Sequence, residues 1–72
     1  MSQANQANID LAFNLALLSR LVTEQYRLYN LIFVLGAPSD AEHEVSLYKY
    51  ELLENEIQDV LVALHNIKES LK

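Results

Sequence analysis

The sequence contains no cysteine, and it has only one glycine and one proline. Without cysteine, the chain can form neither a disulfide framework nor a thiolate metal site. A domain of 72 residues has a small core, and such domains usually depend on disulfides, metals or association for stability. We therefore expect association to complete this fold. The lack of cysteine also fits a reducing compartment, so we expect a cytoplasmic protein.

Positive charge is also scarce. Five Lys and Arg stand against ten Asp and Glu, and the formal net charge is −5. No basic stripe is present to meet phosphates, so we expect no nucleic-acid binding. The Leu-rich run of residues 11–35 is interrupted by Arg20, Glu24 and Arg27, which argues against membrane insertion. Residues 1–10 contain no Lys or Arg, which argues against a secretory signal.

Residues that carry chemistry are few and scattered. Neither His43 nor His65 has a His or Cys three or four residues later, whereas a metal site needs three or four convergent ligands. The acidic residues Glu51, Glu54 and Glu56 point to different sides of a predicted helix, and two helices do not build a dry catalytic pocket. We therefore expect no catalytic residue, no metal and no cofactor, and we predict that the protein is not an enzyme.

The glycine and the proline mark a joint in the chain. Gly36 follows the Leu-rich run directly, and glycine is favoured just past the end of a helix. Pro38 cannot continue that helix. Ser39 then begins a Ser-x-x-Glu capping box that ends at Glu42. The stretch predicts the end of one helix, a turn over residues 36–39 and the start of a second helix.

Apolar residues of the second half recur at alternating spacings of three and four. This spacing predicts a helix over about residues 40–70 with one narrow apolar seam, formed by Tyr50, Leu53, Ile57, Val60, Leu64, Ile67 and Leu71. A first helix is predicted over about residues 8–35, after a Gln/Asn-rich start at residues 2–7 that we expect to fray. We predict one all-α domain over residues 1–72, an antiparallel two-helix hairpin of the coiled-coil type.

The first helix carries two apolar stripes side by side, and the seam of the second helix covers only one of them. One stripe contains Leu11, Leu15, Leu18, Val22, Tyr29 and Ile32, and the other contains Leu17, Leu21, Leu28 and Leu35. The sequence leaves open which stripe faces inward. A further apolar strip lies on the back of the second helix, at Val45, Tyr48 and Leu52.

An uncovered apolar strip usually marks an interaction site. Our predicted partner-binding residues are Leu17, Leu21, Leu28, Leu31, Leu35, Tyr48 and Leu52. Two occupants remain open. The strip lies either in a helical groove of another protein, or against a second hairpin in a homodimeric four-helix bundle with a structural or regulatory role.

The second half resembles a known family. The stretch from Tyr48 to the end is similar to the C-terminal helix of the small co-chaperones of bacterial type III secretion needle subunits. The similar features are Tyr48 at its start, alternating small and large apolar residues from Val60 to Leu64, then His65, and the final Leu71 and Lys72. The resemblance implies a helical hairpin without active site or cofactor. It also implies two partners in the cytoplasm: a tetratricopeptide-like chaperone, and the needle subunit that the pair keeps from polymerising.

Overall fold

The structure, a computed structural model, describes residues 3–36 and 39–71. Helix α1 runs Gln3–Tyr29 and continues directly into a π-helical segment, Asn30–Leu35. Helix α2 runs Asp40–Ser70 and packs along α1. The molecule measures 53 × 16 × 14 Å. All regular structure within the described residues is helical, so the predicted all-α helical hairpin is confirmed.

Helix α1 begins at Gln3, several residues before the predicted start near residue 8. Two local hydrogen bonds support its first turns. Gln6 Nε2 donates to Asp10 Oδ1 at 3.1 Å, and Asn14 Nδ2 donates to the Asp10 carbonyl at 2.8 Å. Side chains four residues apart meet on one helix face, so polar residues in this spacing extend the helix instead of fraying it. Ser2, also in the segment expected to fray, lies outside the described residues.

Helix α2 begins as its capping box predicts. Ser39 has extended backbone angles, φ −149° and ψ 162°, and its Oγ accepts a hydrogen bond from the Glu42 backbone N–H at 3.2 Å. The Ser39 carbonyl accepts from the His43 N–H at 2.9 Å. Asp40 and Glu42 place negative charge in the first turn, near the positive end of the helix dipole. The cap therefore fixes where α2 starts.

The π-helical segment is a feature that the apolar spacing does not predict. Its backbone closes i→i+5 bonds, so each residue turns less about the axis than in an α-helix, and the heptad register of α1 ends at Tyr29. Phe33 stacks against Tyr29 at 5.0 Å between ring centroids and meets Tyr50 of α2 edge-on at 6.2 Å. Gly36 closes the segment with φ +77°, a backbone angle that residues with a Cβ rarely adopt.

The core is one layer of side chains between the helices. Leu21, Ile57 and Val60 form its centre, with Leu28 and Ile32 buried nearer the turn. Four half-buried leucines flank the centre, Leu17, Leu18, Leu53 and Leu64. Among the described residues, no side chain is less than 2% exposed. The helices therefore exclude water from a narrow strip and leave their flanks in solvent.

Leu28→Ala tests this register. Leu28 is 2% exposed, whereas Leu35 of the same predicted stripe is 77% exposed. We expect Leu28→Ala to lower the free energy of unfolding by about 2–4 kcal/mol, because it leaves a cavity in the core. The matched change Leu35→Ala is expected to cost less than about 0.5 kcal/mol. Urea unfolding of the two variants gives both values, and equal losses would contradict the register.

Ser39→Ala tests the cap of α2. The substitution removes the acceptor for the Glu42 N–H and is expected to lower the free energy of unfolding by about 1 kcal/mol. Ser70→Ala is the control, because the Ser70 hydroxyl donates to the Ile67 carbonyl at the other end of α2 and caps no N–H. Thermal unfolding of both variants measures the difference, and a Ser39→Ala variant as stable as the control would show that the cap contributes nothing.

Candidate interaction surfaces

More large hydrophobic residues of the described chain are exposed than are buried. Fifteen large hydrophobic residues of the described chain are exposed, whereas five hydrophobic residues are buried. Single exposed hydrophobic residues are normal on a protein surface, but contiguous strips indicate interaction sites. The exposed residues form two groups that matter here, one on α1 and one on α2.

The first group is a strip along α1, which we call the α1 stripe: Leu11, Leu15, Leu18, Val22 and Tyr29. Successive members are three or four residues apart, or seven across Gln25, so they share one face of the helix. Leu15, Val22 and Tyr29 are 44–50% exposed, and Leu11 and Leu18 are half-buried. Ile32, which the sequence pattern places in the same strip, is buried in the core instead.

A shallow groove of about 260 Å³ lies beside the α1 stripe. It is lined by Val22, Gln25, Tyr26, Tyr29 and Tyr50. Gln25 Nε2 donates to Glu54 Oε2 of α2 at 2.6 Å, so the polar position in the stripe has a partner within its own hairpin. The groove therefore offers aromatic and apolar surface without a free charge on α1.

The second group lies on the back of α2, and we call it the α2 patch: Val45, Tyr48 and Leu52. All three are exposed, at i, i+3 and i+7 of one helix. The α2 patch borders charged side chains of both signs at Leu52. Leu52 lies in a groove of about 240 Å³ whose polar lining is Glu24, Lys49 and Glu56. An apolar centre with a charged rim is the usual make-up of a protein–protein interface.

The charges on this side of the hairpin interact. Arg27 Nε donates to both carboxylate oxygens of Glu24 at 3.2 Å. This hydrogen bond, with the nearby positive charges of Arg27 and Lys49, holds the pKa of the Glu24 carboxyl below its ordinary value. The Arg27 and Glu24 side chains are 61% and 46% exposed, so this ion pair contributes little to the stability of the fold.

The predicted partner-binding residues are split between the core and the surface. Leu21 and Leu28 are buried against α2, and Leu17 and Leu31 are half-buried. Leu35, Tyr48 and Leu52 are exposed. The structure differs from the prediction on α1, because the seam of α2 covers the stripe that we expected to be spare. A docked protein does not reach Leu21 or Leu28 while the hairpin stays closed.

The two stripes differ in what the hairpin buries. Leu21 and Leu28 of the inner stripe are buried, and a fully buried leucine contributes about 1.5–3 kcal/mol. The outer stripe ends in Tyr29, whose hydroxyl prefers to remain near water. The α1 stripe follows a repeat of threes and fours in the sequence, but this spacing does not distinguish it from the adjacent stripe.

Two other kinds of site, a metal centre and a membrane-spanning helix, are absent from the described residues. No group of three or more His, Cys, Asp and Glu side chains in residues 3–36 and 39–71 is arranged to hold a metal ion. Over the same residues, neither helix has an apolar stretch long enough to cross a membrane. Comparison with protein-family models, with curated proteins and with solved structures gives no match to this chain.

Proposed function

We propose that this chain is a non-enzymatic binding protein of the cytoplasm. The observation that carries the proposal is the α2 patch, three exposed apolar side chains on one face of α2, of which Leu52 lies in a groove with charged lining residues. Tyrosine is enriched at interface positions of high energy, and Tyr48 stands at the centre of the patch. A partner that covers the patch buries surface that the hairpin itself leaves in water.

The partner class that we propose is a helical-repeat chaperone, tetratricopeptide-like, of a type III secretion needle subunit. The resemblance in sequence begins at Tyr48 and therefore includes Tyr48 and Leu52 of the α2 patch. Stacked helical repeats form concave grooves, and such a groove accepts an amphipathic helix along its length. In this proposal the hairpin is a co-chaperone: it stabilises the repeat protein, and the pair keeps the needle subunit from polymerising.

The negative charge of α2 predicts the charge of the partner's groove. The residues after Gly36 carry eight Asp and Glu against three Lys, whereas residues 1–36 are formally neutral. A groove that binds α2 is therefore expected to carry basic residues at its rim. Rim charges act mainly on the rate of association, so complex formation is expected to slow as salt is added.

A matched pair of variants tests the α2 patch. Val45 is 54% exposed on α2, and Val22 is 47% exposed in the α1 stripe. We expect Val45→Asp to weaken binding of the chaperone by on the order of 100-fold, because it buries an unpaired carboxylate in the interface, whereas Val22→Asp leaves binding unchanged. The measurement is co-expression with the tetratricopeptide-like chaperone of the source cells, followed by calorimetric titration of the purified proteins.

The outcomes of the same experiment support or contradict the proposal. A one-to-one complex that holds the needle subunit soluble supports it. Absence of any complex with the wild-type chain, measured with both proteins folded, contradicts the co-chaperone role. A complex that Val45→Asp leaves intact and Val22→Asp abolishes shows that the chaperone binds the α1 stripe instead.

A further inference from the structure

The α1 stripe is left without an occupant by the proposed function, which uses the other side of the hairpin. At 1.5 Å per residue, the stripe runs along α1 for about 27 Å from Leu11 to Tyr29. No member of it is charged. Its one polar position, Gln25, already donates its amide to Glu54. The stripe therefore presents no group that requires an opposite charge from whatever covers it.

We propose that a second copy of this chain covers the α1 stripe, with the two α1 helices antiparallel at the centre of a four-helix bundle. The inference does not rest on the proposed function, because the α2 patch remains free on the outside of such a dimer.

The intervals between residues of the α1 stripe are the same in both directions along the helix, so two antiparallel copies can align residue by residue. With Gln25 included, the intervals from Leu11 to Tyr29 are 4, 3, 4, 3 and 4, which is the same sequence of intervals in either direction. Two antiparallel copies then place Leu11 of one level with Tyr29 of the other, and Leu18 level with Val22. A two-fold axis between these layers relates the two chains, so each chain contributes the same residues to the interface. This is the arrangement of an isologous dimer.

The distribution of charge favours contact through α1. The acidic excess lies after Gly36, and residues 1–36 are neutral. A dimer that pairs α1 with α1 keeps the two acidic helices on the outside, whereas a dimer that pairs α2 with α2 brings like charges together. Antiparallel α1 helices also place the positive end of each helix dipole beside the negative end of the other.

The size of the α1 stripe sets the size of the dimer interface. The stripe is about 27 Å long, and over the 16 Å width of the hairpin it covers on the order of 400 Å², about half of what each partner buries in a standard-size interface. The hairpin alone has five buried hydrophobic residues in the described chain. Covering the α1 stripe adds a second apolar layer to that core, which is how four-helix bundles reach their stability.

The first test is the mass of the protein in solution, measured by sedimentation equilibrium on the wild type, Val22→Asp and Val45→Asp. We expect a wild-type dimer, a Val22→Asp chain whose dissociation constant is raised by on the order of 100-fold, and a Val45→Asp chain that dimerises like the wild type. A monomeric wild type overturns the proposal. So does a Val22→Asp dimer as tight as the wild type, or a dimer that only Val45→Asp disrupts.

Far-UV circular dichroism on the same samples shows whether each variant is folded. If Val22→Asp loses its helix signal, Leu15→Asp takes its place, because Leu15 is half exposed and lies in another layer of the stripe. A folded Leu15→Asp monomer supports the proposal, and a folded Leu15→Asp dimer as tight as the wild type overturns it.

A second test addresses the antiparallel arrangement and introduces no charge. The chain has no cysteine of its own, so single cysteines report only on the positions where they are placed. We expect Leu11→Cys chains mixed with Tyr29→Cys chains to form mixed disulfides under mild oxidation, at a rate at least about ten times that of either variant with itself. Preferential self-linking of Leu11→Cys would instead indicate parallel helices and overturn the arrangement.

Discussion

Two helices that lie side by side bury only the strip along which they touch, and the rest of this structure depends on that constraint. The seam of α2 is one side chain wide, and it meets the leucines of α1 in a single layer. Helix α1 is apolar over a wider arc than this seam covers. The remaining apolar residues stand at the flanks of a long and thin molecule. Their burial requires a surface from outside the hairpin.

The two outer apolar surfaces differ in the charged residues that border them. The α1 stripe is uncharged, and its polar member bonds across to α2. The α2 patch is bordered by Glu24, Lys49 and Glu56. When two identical surfaces meet, like charges face each other, so an uncharged strip is favourable for self-association. A charged rim instead selects a partner of complementary charge. The two surfaces share no residue, so the two proposed occupants would not compete for the same side chains.

The features that the sequence predicts well are set by local chemistry. The bounds of α2 follow from the Ser39 cap and from the repeat of threes and fours, and both are found in the structure. Gly36 ends the helical segment with a positive φ that residues with a Cβ rarely adopt. These signals need no knowledge of what packs against them.

The features that the sequence does not predict depend on packing. Whether Leu21 or Val22 faces inward is decided by the fit of two helices, because the two stripes are neighbours on one surface. The π-helical winding after Tyr29 is likewise not indicated by the apolar spacing, and it is the segment in which Phe33 meets Tyr50 of α2. The early start of α1 is accompanied by a hydrogen bond from Gln6 to Asp10, and polar residues of this kind are typical of loops as well as of helices.

The central claim is that the hairpin is completed by association, and the unfolding midpoint of the wild-type protein at different concentrations tests it most directly. If folding and association are coupled, mass action raises the midpoint as the chain is concentrated. Between about 1 µM and about 100 µM, the midpoint is expected to rise by roughly 5–10 °C. A midpoint that does not change over this range would show that the single layer of core stabilises the hairpin alone, and that result would contradict the account.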